Sequence, residues 1–354
     1  MVTRAGLVQP VPVGGLAPEL LGGGLAQAGM CLYRRDNQPG GSPPGRPFIL
    51  ALVGPTAVGK TALALELAER VPLEIVSADS RAVYRWMDIG TAKPTLDERR
   101  RVPHHLIDVV DPDERYSLAL YQEQALQAVQ RIASRGRLPV LVGGAGLYVS
   151  AVCDGLAMPD VPPDMDFRQA LEERARAEGW QALLPELERV DPETARRIEP
   201  RNVRRVIRAL EVFHATGRPF SAWQTPLERP PVESLLIGLD LERQALYARI
   251  DRRIDAWIAD GFVDEVRGLL ARGYAPELPS MSGLGYREIA QFVGGELSLS
   301  DAVAQLKNAT HQYAKRQMTW FRRRPRIQWL DAASASAAQV TELLSPALRR
   351  SGLA

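Results

Sequence analysis

Cysteine and histidine are scarce in this chain of 354 residues. The two cysteines, Cys31 and Cys153, lie far apart, which argues against a disulfide framework and excludes a cysteine-rich zinc site. The four histidines show no metal-binding spacing. No apolar run reaches the length that spans a bilayer, so we expect a cytoplasmic protein with no membrane association.

Net charge is also small, at +2 from 44 basic and 42 acidic residues. The field of the whole molecule is therefore weak, and a polyanionic partner would have to be bound by a local basic surface. Apolar residues make up 45% and charged residues 24% of the chain, which is typical of a soluble globular protein. The length allows one large domain or two modest ones.

The first 46 residues differ from the rest of the chain. They are rich in glycine and proline and show no sustained period, which predicts a disordered extension over residues 1–46. Their apolar stretch at residues 16–21 is short and is broken by Pro18, so it makes a poor signal peptide. An artefact of start-site choice is the alternative, because Met30 offers a later start.

A phosphate-binding loop is the strongest motif in the chain. The apolar segment Phe48–Val53 reads as a strand that runs directly into a G-x-x-x-x-G-K-T sequence, and a helical pattern follows. The loop consists of Gly54, Pro55, Thr56, Ala57, Val58, Gly59, Lys60 and Thr61. Its backbone N–H groups, the helix N-terminus and the Lys60 ammonium suit a phosphate or diphosphate, and the Thr61 hydroxyl is placed to hold Mg²⁺. A glycine-rich turn with an incidental lysine is the alternative.

Strand and helix patterns alternate after the loop. Strands are expected at residues 48–53, 73–77, 106–110 and 139–142, and a helix at residues 117–135, which ends at Gly136. Such alternation predicts an α/β unit with a parallel sheet, whose ligand lies at the carboxyl ends of the strands.

The pattern changes at the proline-rich segment 158–163. Only helices are expected from 164 to 224, among them 167–178 and 203–215, before an apolar run at 235–239 returns to the sheet. The predicted fold class is α/β, with a P-loop NTPase-like parallel sheet core, an inserted all-helical subdomain and a helical C-terminal part. The core comprises residues 47–158 and 232–332, the subdomain residues 159–231, and a frayed tail residues 333–354.

Several polar or small residues follow the predicted strands. Asp79 lies just past a strand, where it could bind Mg²⁺ through water, act as a general base, or cap a helix. The glycine-rich turn at residues 143–146 would let the backbone approach a ligand closely, or is a plain tight turn. Residues 88–94 suggest a loop near anions.

Two basic clusters stand out in this nearly neutral chain. Arg201, Arg204, Arg205 and Arg208 recur at helical spacing, and residues 315–326 contain lysine, arginine and aromatics but no acid. A solvated charged face explains either cluster alone. Together they favour a nucleic acid, because arginine binds phosphates bidentately and aromatic rings stack on unpaired bases.

These motifs together resemble the tRNA dimethylallyltransferase family, also called isopentenyl-diphosphate:tRNA transferase. The matching segments run in order from about residue 48 to 330: residues 54–61, 77–80, 84, 87–94, 103–108, 142–148, 208–212, 285–288 and 315–322. The resemblance implies transfer of a dimethylallyl group from dimethylallyl diphosphate to the exocyclic amine of the adenosine next to the anticodon, with Mg²⁺ as cofactor. The phosphate loop would then hold the prenyl diphosphate and not ATP.

The resemblance also implies roles for individual residues. Asp79 matches the general base, Lys60 and Thr61 with Mg²⁺ stabilise the leaving diphosphate, and Arg243 matches an arginine that assists. The implied tRNA contacts are Asp79, Ser80, Arg81, Ala82, Ala145, Arg204, Arg205, Arg208, Gly285, Tyr286, Arg287, Lys315, Arg316, Gln317, Thr319, Trp320 and Arg322. The partner is the anticodon stem-loop of tRNA, with the adenine flipped out, and we expect a monomeric enzyme.

The chain departs from the family pattern in two places. Ala145 stands where the family has threonine, so we expect a weakened but active enzyme, and Ala82 replaces a common glutamine. The absence of a C-terminal cysteine–histidine finger is typical of the bacterial form. Leu147 and Tyr148 could hold the prenyl tail or pack in the core. The alternative functions are prenyl transfer to free adenine nucleotides, a small-molecule kinase, and a non-catalytic RNA-binding protein.

Overall fold

The computed structural model describes residues 45–156, 159, 161–199, 202–223 and 227–351, so the predicted extension of residues 1–46 lies almost wholly outside it. Six strands form one sheet: β1 Phe48–Val53, β2 Leu73–Ala78, β3 His104–His105, β4 Leu138–Gly143, β5 Glu233–Asp240 and β6 Ile327–Asp331. Their order is β3-β2-β4-β1-β5-β6, and every neighbouring pair is parallel. The predicted parallel α/β core is confirmed.

Helices cover both faces of this sheet. They are α1 Lys60–Leu67, α2 Leu96–Arg101, α3 Leu118–Ser134, α4 Gly146–Cys153, α5 Met165–Glu178, α6 Leu184–Val190, α7 Pro192–Arg197, α8 Val203–Thr216, α9 Phe220–Trp223, α10 Arg243–Ala259, α11 Phe262–Ala271, α12 Tyr286–Val293, α13 Leu299–Arg322 and α14 Ala337–Ser351. A 3-10 turn at Trp180–Leu183 precedes α6. None of the helices in the described part of the chain has the length and apolarity that crossing a bilayer requires.

The central strands are buried on both faces, which explains their almost wholly apolar sequences. In β1, Leu50 and Leu52 pack into the layer that contains α1 and the C-terminal helices. Ile49 and Ala51 point the other way, into the layer formed by α3 and α4. Successive side chains of a strand point to opposite faces of the sheet, so β1 contributes to both hydrophobic cores.

Helices α5 to α9 occupy the stretch that we expected to be an inserted subdomain, and they share a hydrophobic cluster of their own. Glu211 of α8 is 1% exposed, and its carboxylate accepts hydrogen bonds from Arg168 of α5 at 2.7 and 2.9 Å and from the backbone N–H of Asp164. Arg208 also donates to Glu211. Charge pairing therefore joins α5 to α8 beside the apolar cluster.

The structure corrects two expectations. The strand predicted at residues 106–110 is replaced by the two-residue β3, because Leu106 and Asp108 adopt left-handed backbone conformations with φ of 62° and 58°. The predicted frayed tail contains α14, whose Val340 and Leu344 are fully buried and whose start is held by Glu66, which accepts from the N–H of Ala337.

The loop at residues 88–94 does lie near an anion, and that anion belongs to the protein. The carboxylate of Glu265 accepts hydrogen bonds from the N–H groups of Asp88, Ile89 and Gly90 and from the hydroxyl of Tyr286. The loop is therefore fastened to α11 and α12 by a side chain 175 or more residues away.

Lys93 fixes the end of the same loop. Its side chain is 1% exposed, and its Nζ lies 2.7 Å from Asp88 and 2.5 Å from Asp108, while it also donates to the carbonyl of Tyr84. Burial alone would raise the pKa of Asp108, but hydrogen bonds from Lys93 and Arg99 outweigh burial and lower it. The loop is thus a structural element that depends on a buried charge.

We predict that Lys93→Met lowers the free energy of unfolding by about 2–3 kcal/mol, because it leaves two carboxylates near the loop without their buried cation. Lys307→Met is the matched control, since Lys307 pairs with Asp255, whose side chain is 59% exposed, and should cost under about 1 kcal/mol. Urea unfolding measures both. Equal losses in the two variants would contradict the importance of the Lys93 pairs.

Candidate active site

Strand register brings three segments to one edge of the sheet. Gly143, the last residue of β4, is paired with Val53 of β1 on one side and with Ala78 of β2 on the other. The next residues, Gly54, Gly144 and Asp79, therefore leave the sheet side by side, at a strand spacing of about 4.8 Å. The phosphate loop, the glycine-rich turn and the aspartate that sequence analysis singled out are thus neighbours.

The phosphate loop has the backbone conformation that wraps around an anion. Gly54 and Gly59 have φ of 143° and 110°, and Ala57 is left-handed with φ of 64°. A side chain at Gly54 would also place its Cβ 2.7 Å from the carbonyl of Leu239 on β5, so glycine is required there for space as well. Left-handed conformations direct successive N–H groups to one side of a loop, where an anion can be bound.

Lys60 lies inside this loop and is only partly exposed. Its Nζ donates hydrogen bonds to the carbonyls of Gly54 at 3.1 Å and Pro55 at 2.6 Å. Burial and, to a smaller extent, the positive charge of Arg253 lower the pKa of Lys60 to about 7, although the negative charge of Asp79 opposes the decrease. Because an opposite charge favours the protonated lysine, a bound anion would raise this pKa.

Two arginines of α10 extend the positive charge, and sequence reasoning missed both. Arg249 donates to the carbonyl of Val58 in the loop at 3.3 Å, and burial lowers the pKa of Arg253, whose charge acts on Lys60. Each directly precedes a buried isoleucine, Ile250 or Ile254, and each is only partly exposed. Arginines four residues apart beside apolar helix positions were the available signal.

The predicted metal ligand, Thr61, is partly buried in the first turn of α1. Within the described residues there is no group of three or more histidine, cysteine or acidic side chains that could hold a metal ion. Mg²⁺ needs few protein ligands when phosphate and water oxygens complete its octahedron. The hydroxyl of Thr61 therefore fits a Mg²⁺ ion that is held mainly by a diphosphate.

Asp79 has one oxygen held by the backbone. Its Oδ1 accepts hydrogen bonds from the N–H groups of Arg81 at 2.8 Å and Ala82 at 3.3 Å, which closes a turn. The next helix begins only at Leu96, so the helix-cap alternative for Asp79 is wrong. Within the described part of the chain, no donor lies within hydrogen-bond distance of Oδ2. Burial raises the pKa of Tyr313 and of Tyr148, and the charge of Asp79 adds to both increases. Asp79 is itself partly exposed, and its charge acts on both tyrosines.

The glycine-rich turn leaves room for α13. A Cβ at Gly144 would lie 2.1 Å from Nε2 of Gln317, and one at Gly146 would lie 2.2 Å from Nε1 of Trp320. Ala145 lies between them, at the N-cap of α4, and its N–H donates to the carbonyl of Ala78 at 3.1 Å. The absence of side chains at these two glycines leaves space for Gln317 and Trp320 of α13. The sequence analysis, which considered a ligand or a plain tight turn, did not predict this contact.

The residues matched to tRNA contacts divide by exposure. Arg204, Arg205, Arg287, Lys315, Arg316, Thr319, Trp320 and Arg322 are exposed. Ser80, Arg81, Ala145 and Arg208 are partly buried, and Ala82, Gly285, Tyr286 and Gln317 are buried. Arg81 donates to the carbonyls of Pro279 and Ser280, so it joins the end of β2 to the segment before α12.

Arg243 and the two candidate prenyl contacts, Leu147 and Tyr148, differ in their surroundings. The guanidinium of Arg243 is 5.2 Å from the ring of Tyr247, and both line a groove of about 720 Å³ beside α13 that does not include the phosphate loop. Tyr148 is buried and stacks on Tyr121 at 3.7 Å between ring centroids, whereas Leu147 is 40% exposed. Core packing accounts for Tyr148, and the roles assigned to Arg243 and Leu147 stay predictions.

Comparison with known proteins identifies similar chains. A family model described as IPP transferase matches residues 82–324. A tRNA dimethylallyltransferase of Roseiflexus castenholzii is 57% identical over 296 residues, which cover 84% of this chain and 96% of that protein. One of Thermomicrobium roseum is 53% identical, with 80% of this chain and 86% of that protein covered.

Solved structures are similar as well. A tRNA isopentenylpyrophosphate transferase of Bacillus halodurans is 40% identical with a TM-score of 0.64, and the match covers 87% of this chain and 98% of that one. A eukaryotic dimethylallyltransferase, described as acting on tRNA, is 26% identical with a TM-score of 0.72, and the match covers 86% of this chain and 80% of that one. The similarity in sequence and in structure extends over most of the chain.

We predict that inorganic pyrophosphate binds with net proton uptake by Lys60 at about pH 8 but not at about pH 6. A pKa of about 7 leaves the free lysine about nine-tenths neutral at pH 8, and a bound anion favours the ammonium. Titration calorimetry in buffers of different ionisation enthalpy measures the protons taken up.

The matched control for this measurement is Lys60→Arg, because a guanidinium stays charged at both pH values. Protons taken up or released by pyrophosphate itself are the same for both proteins. The difference in proton uptake between the wild type and Lys60→Arg therefore measures the protonation of Lys60. Equal proton uptake by the two proteins at pH 8 would contradict the lowered pKa.

Proposed function

The chain belongs to the IPP transferase family of tRNA dimethylallyltransferases, and we propose that it transfers a dimethylallyl group from dimethylallyl diphosphate to the exocyclic amine of the adenosine next to the anticodon. The observation that carries this proposal is the pairing of Gly143 with both Val53 and Ala78, which makes the phosphate loop and Asp79 neighbours. Similarity to enzymes named for this reaction over most of the chain favours it over the kinase and free-nucleotide alternatives.

The phosphate loop is proposed to bind the diphosphate of the prenyl donor. Breaking the bond between the allylic carbon and oxygen leaves its electron pair on the diphosphate, so negative charge grows there. Backbone N–H groups of the loop, Lys60 and the charge of Arg253 lie where they would stabilise that charge. A bound Mg²⁺, with Thr61 as its protein ligand, would neutralise part of the same charge.

Asp79 is proposed to be the general base. The adenine amine is a poor nucleophile because its lone pair is delocalised into the ring. As the new nitrogen–carbon bond forms, the amine becomes acidic and a proton passes to the carboxylate. Two backbone N–H groups hold Oδ1 of Asp79, which fixes the side chain and leaves Oδ2 to accept that proton.

Exposed cations support tRNA as the acceptor. Arg204 and Arg205 project from α8, and Lys315, Arg316 and Arg322 project from α13. A chain of net charge +2 has little general attraction for RNA, so these local clusters would supply the phosphate contacts. Trp320 is 37% exposed and touches Gly146 beside the site, which suits stacking on an unpaired base as the target adenine leaves the anticodon loop.

The test of this function is incubation of the protein with Mg²⁺, labelled dimethylallyl diphosphate and an unmodified tRNA with an adenine-rich anticodon loop. We expect label in the RNA and release of pyrophosphate. Label in a free adenine nucleotide would favour the monomer-modifying alternative, and release of ADP from ATP without RNA would favour a kinase. RNA binding with no transfer would mean a non-catalytic binding protein.

We predict that Asp79→Asn lowers kcat by about 10²–10⁴-fold while the Kd for tRNA changes by less than about two-fold, because the amide keeps the shape but cannot take the proton. Single-turnover prenyl transfer and filter binding measure the two quantities. Asp113→Asn is the control, since Asp113 is exposed and lies outside the site. Unchanged kcat in Asp79→Asn would remove the general base from this mechanism.

We predict that Ala145→Thr raises kcat by about two- to ten-fold, because it restores a hydroxyl at the reaction centre. The structure adds a second effect, since position 145 is the N-cap of α4 and has no side-chain cap, so threonine should also stabilise the helix by about 0.5–2 kcal/mol. Kinetics and thermal unfolding separate the two effects.

Ala145→Val is the matched control for this variant, because valine has the shape of threonine without the hydroxyl. It should raise neither kcat nor stability. Slower transfer by Ala145→Thr, or an equal gain in Ala145→Val, would show that the alanine does not weaken the enzyme.

A further inference from the structure

Gln317 differs from the other α13 residues matched to tRNA contacts. Its neighbours Lys315, Arg316 and Thr319 are exposed, whereas Gln317 is 6% exposed. A buried amide must satisfy both its donor and its acceptor, and this one does so within the protein. Its distance from solvent therefore points to a role other than contact with RNA.

Both ends of the Gln317 amide bind the backbone of the site. Its Oε1 accepts a hydrogen bond from the N–H of Thr56 in the phosphate loop at 2.9 Å. Its Nε2 donates to the carbonyl of Gly144 in the glycine-rich turn at 3.0 Å. One side chain thus joins the segment after β1 to the segment after β4, across 261 and 173 residues of sequence.

The shape of the turn is matched to this amide. A Cβ at Gly144 would lie 2.1 Å from Nε2 and 3.2 Å from the amide carbon, so glycine is needed for Gln317 to reach the carbonyl. One helical turn later, Trp320 fills the space beside Gly146 in the same way. Helix α13 is therefore seated on the turn by a polar contact and an aromatic contact.

The contact with Thr56 bears on anion binding because of where it falls in the loop. The Thr56 N–H is directed to Gln317, and the residues that follow it, Ala57 to Lys60, include the left-handed positions that turn the later N–H groups inward. A hydrogen bond at the start of the loop limits the conformations that the rest can adopt. Preorganised donors bind an anion more tightly than donors that must first be ordered.

We propose that Gln317 is a positioning residue that holds the phosphate loop and the glycine-rich turn together from α13, and that diphosphate binding depends on it while RNA binding does not. This inference rests on the proposed function, in which the loop binds the diphosphate of the prenyl donor. The inference assigns Gln317 a different role from the exposed residues within 315–322, although all of them belong to one sequence motif.

The test compares Gln317→Glu and Gln317→Met with the wild-type protein. Glutamate keeps the acceptor for Thr56 but cannot donate to Gly144, and methionine has similar length with neither function. Gln305→Glu is the matched control, because Gln305 is an exposed glutamine on the same helix. Calorimetry with inorganic pyrophosphate and Mg²⁺ gives one Kd, filter binding with unmodified tRNA gives a second, and the KM for dimethylallyl diphosphate is measured with saturating tRNA.

We expect Gln317→Met, which loses both hydrogen bonds, to raise the Kd for pyrophosphate and the KM for dimethylallyl diphosphate by about ten-fold. Gln317→Glu keeps the bond from Thr56 and loses only the bond to Gly144, so we expect it to raise each by about three-fold. The Kd for tRNA should change by less than about two-fold, and Gln305→Glu should match the wild type in all three. A residue that only maintained the fold would not produce this split between the two ligands.

Two results would overturn the inference. One is unchanged pyrophosphate binding in both variants, and the other is a parallel loss of pyrophosphate and tRNA binding, which would indicate a general loss of structure. Failure of the wild-type protein to bind pyrophosphate is a different result, because it would contradict the proposed function itself. The wild-type measurement therefore distinguishes the two failures.

Discussion

Three parallel strands end in register, and the arrangement of the site follows from that pairing. Gly143 of β4 lies between Val53 and Ala78, and a Cβ on it would lie 2.1 Å from the carbonyl of Ala78. Because β4 separates β1 from β2, the loop after β1 and Asp79 after β2 are two strand spacings apart, about 10 Å. In the proposed reaction, the reacting carbon and the amine lie between a diphosphate at the loop and the carboxylate of Asp79.

Positive charge is concentrated at the phosphate loop, and burial disfavours the charged form of Lys60 and Arg253. Lys60 is held among backbone carbonyls with Arg249 and Arg253 nearby, while Asp79 is the acid whose charge reaches it. Burial and the positive charge of Arg253 lower the pKa of the lysine to about 7, and a nearby anion would favour its charged form. This is the electrostatic reason for expecting an anionic ligand at the loop.

Sequence reasoning succeeded where the signal is local. The phosphate loop, the strand before it and the placement of Asp79 follow from short motifs and from the alternation of buried side chains. It failed where partners are distant in sequence: Glu265 anchors a loop 175 residues away, and Gln317 reaches Thr56 across 261 residues. It also overlooked α14, since alanine and serine obscure the helical spacing of Val340 and Leu344.

The sequence motif in helix α13 does not form one continuous surface. Residues 315–322 match the family as one continuous stretch, but a helix turns about 100° per residue, so its members face different ways. Gln317, Met318 and Phe321 point inward, and Phe321 is fully buried in the layer that contains α3 and α4. Trp320 and the cations on either side of these residues, Lys315, Arg316 and Arg322, are exposed. A single helix therefore exposes its cations on one side while its other side touches the phosphate loop, so substitutions on the two sides can act on different ligands.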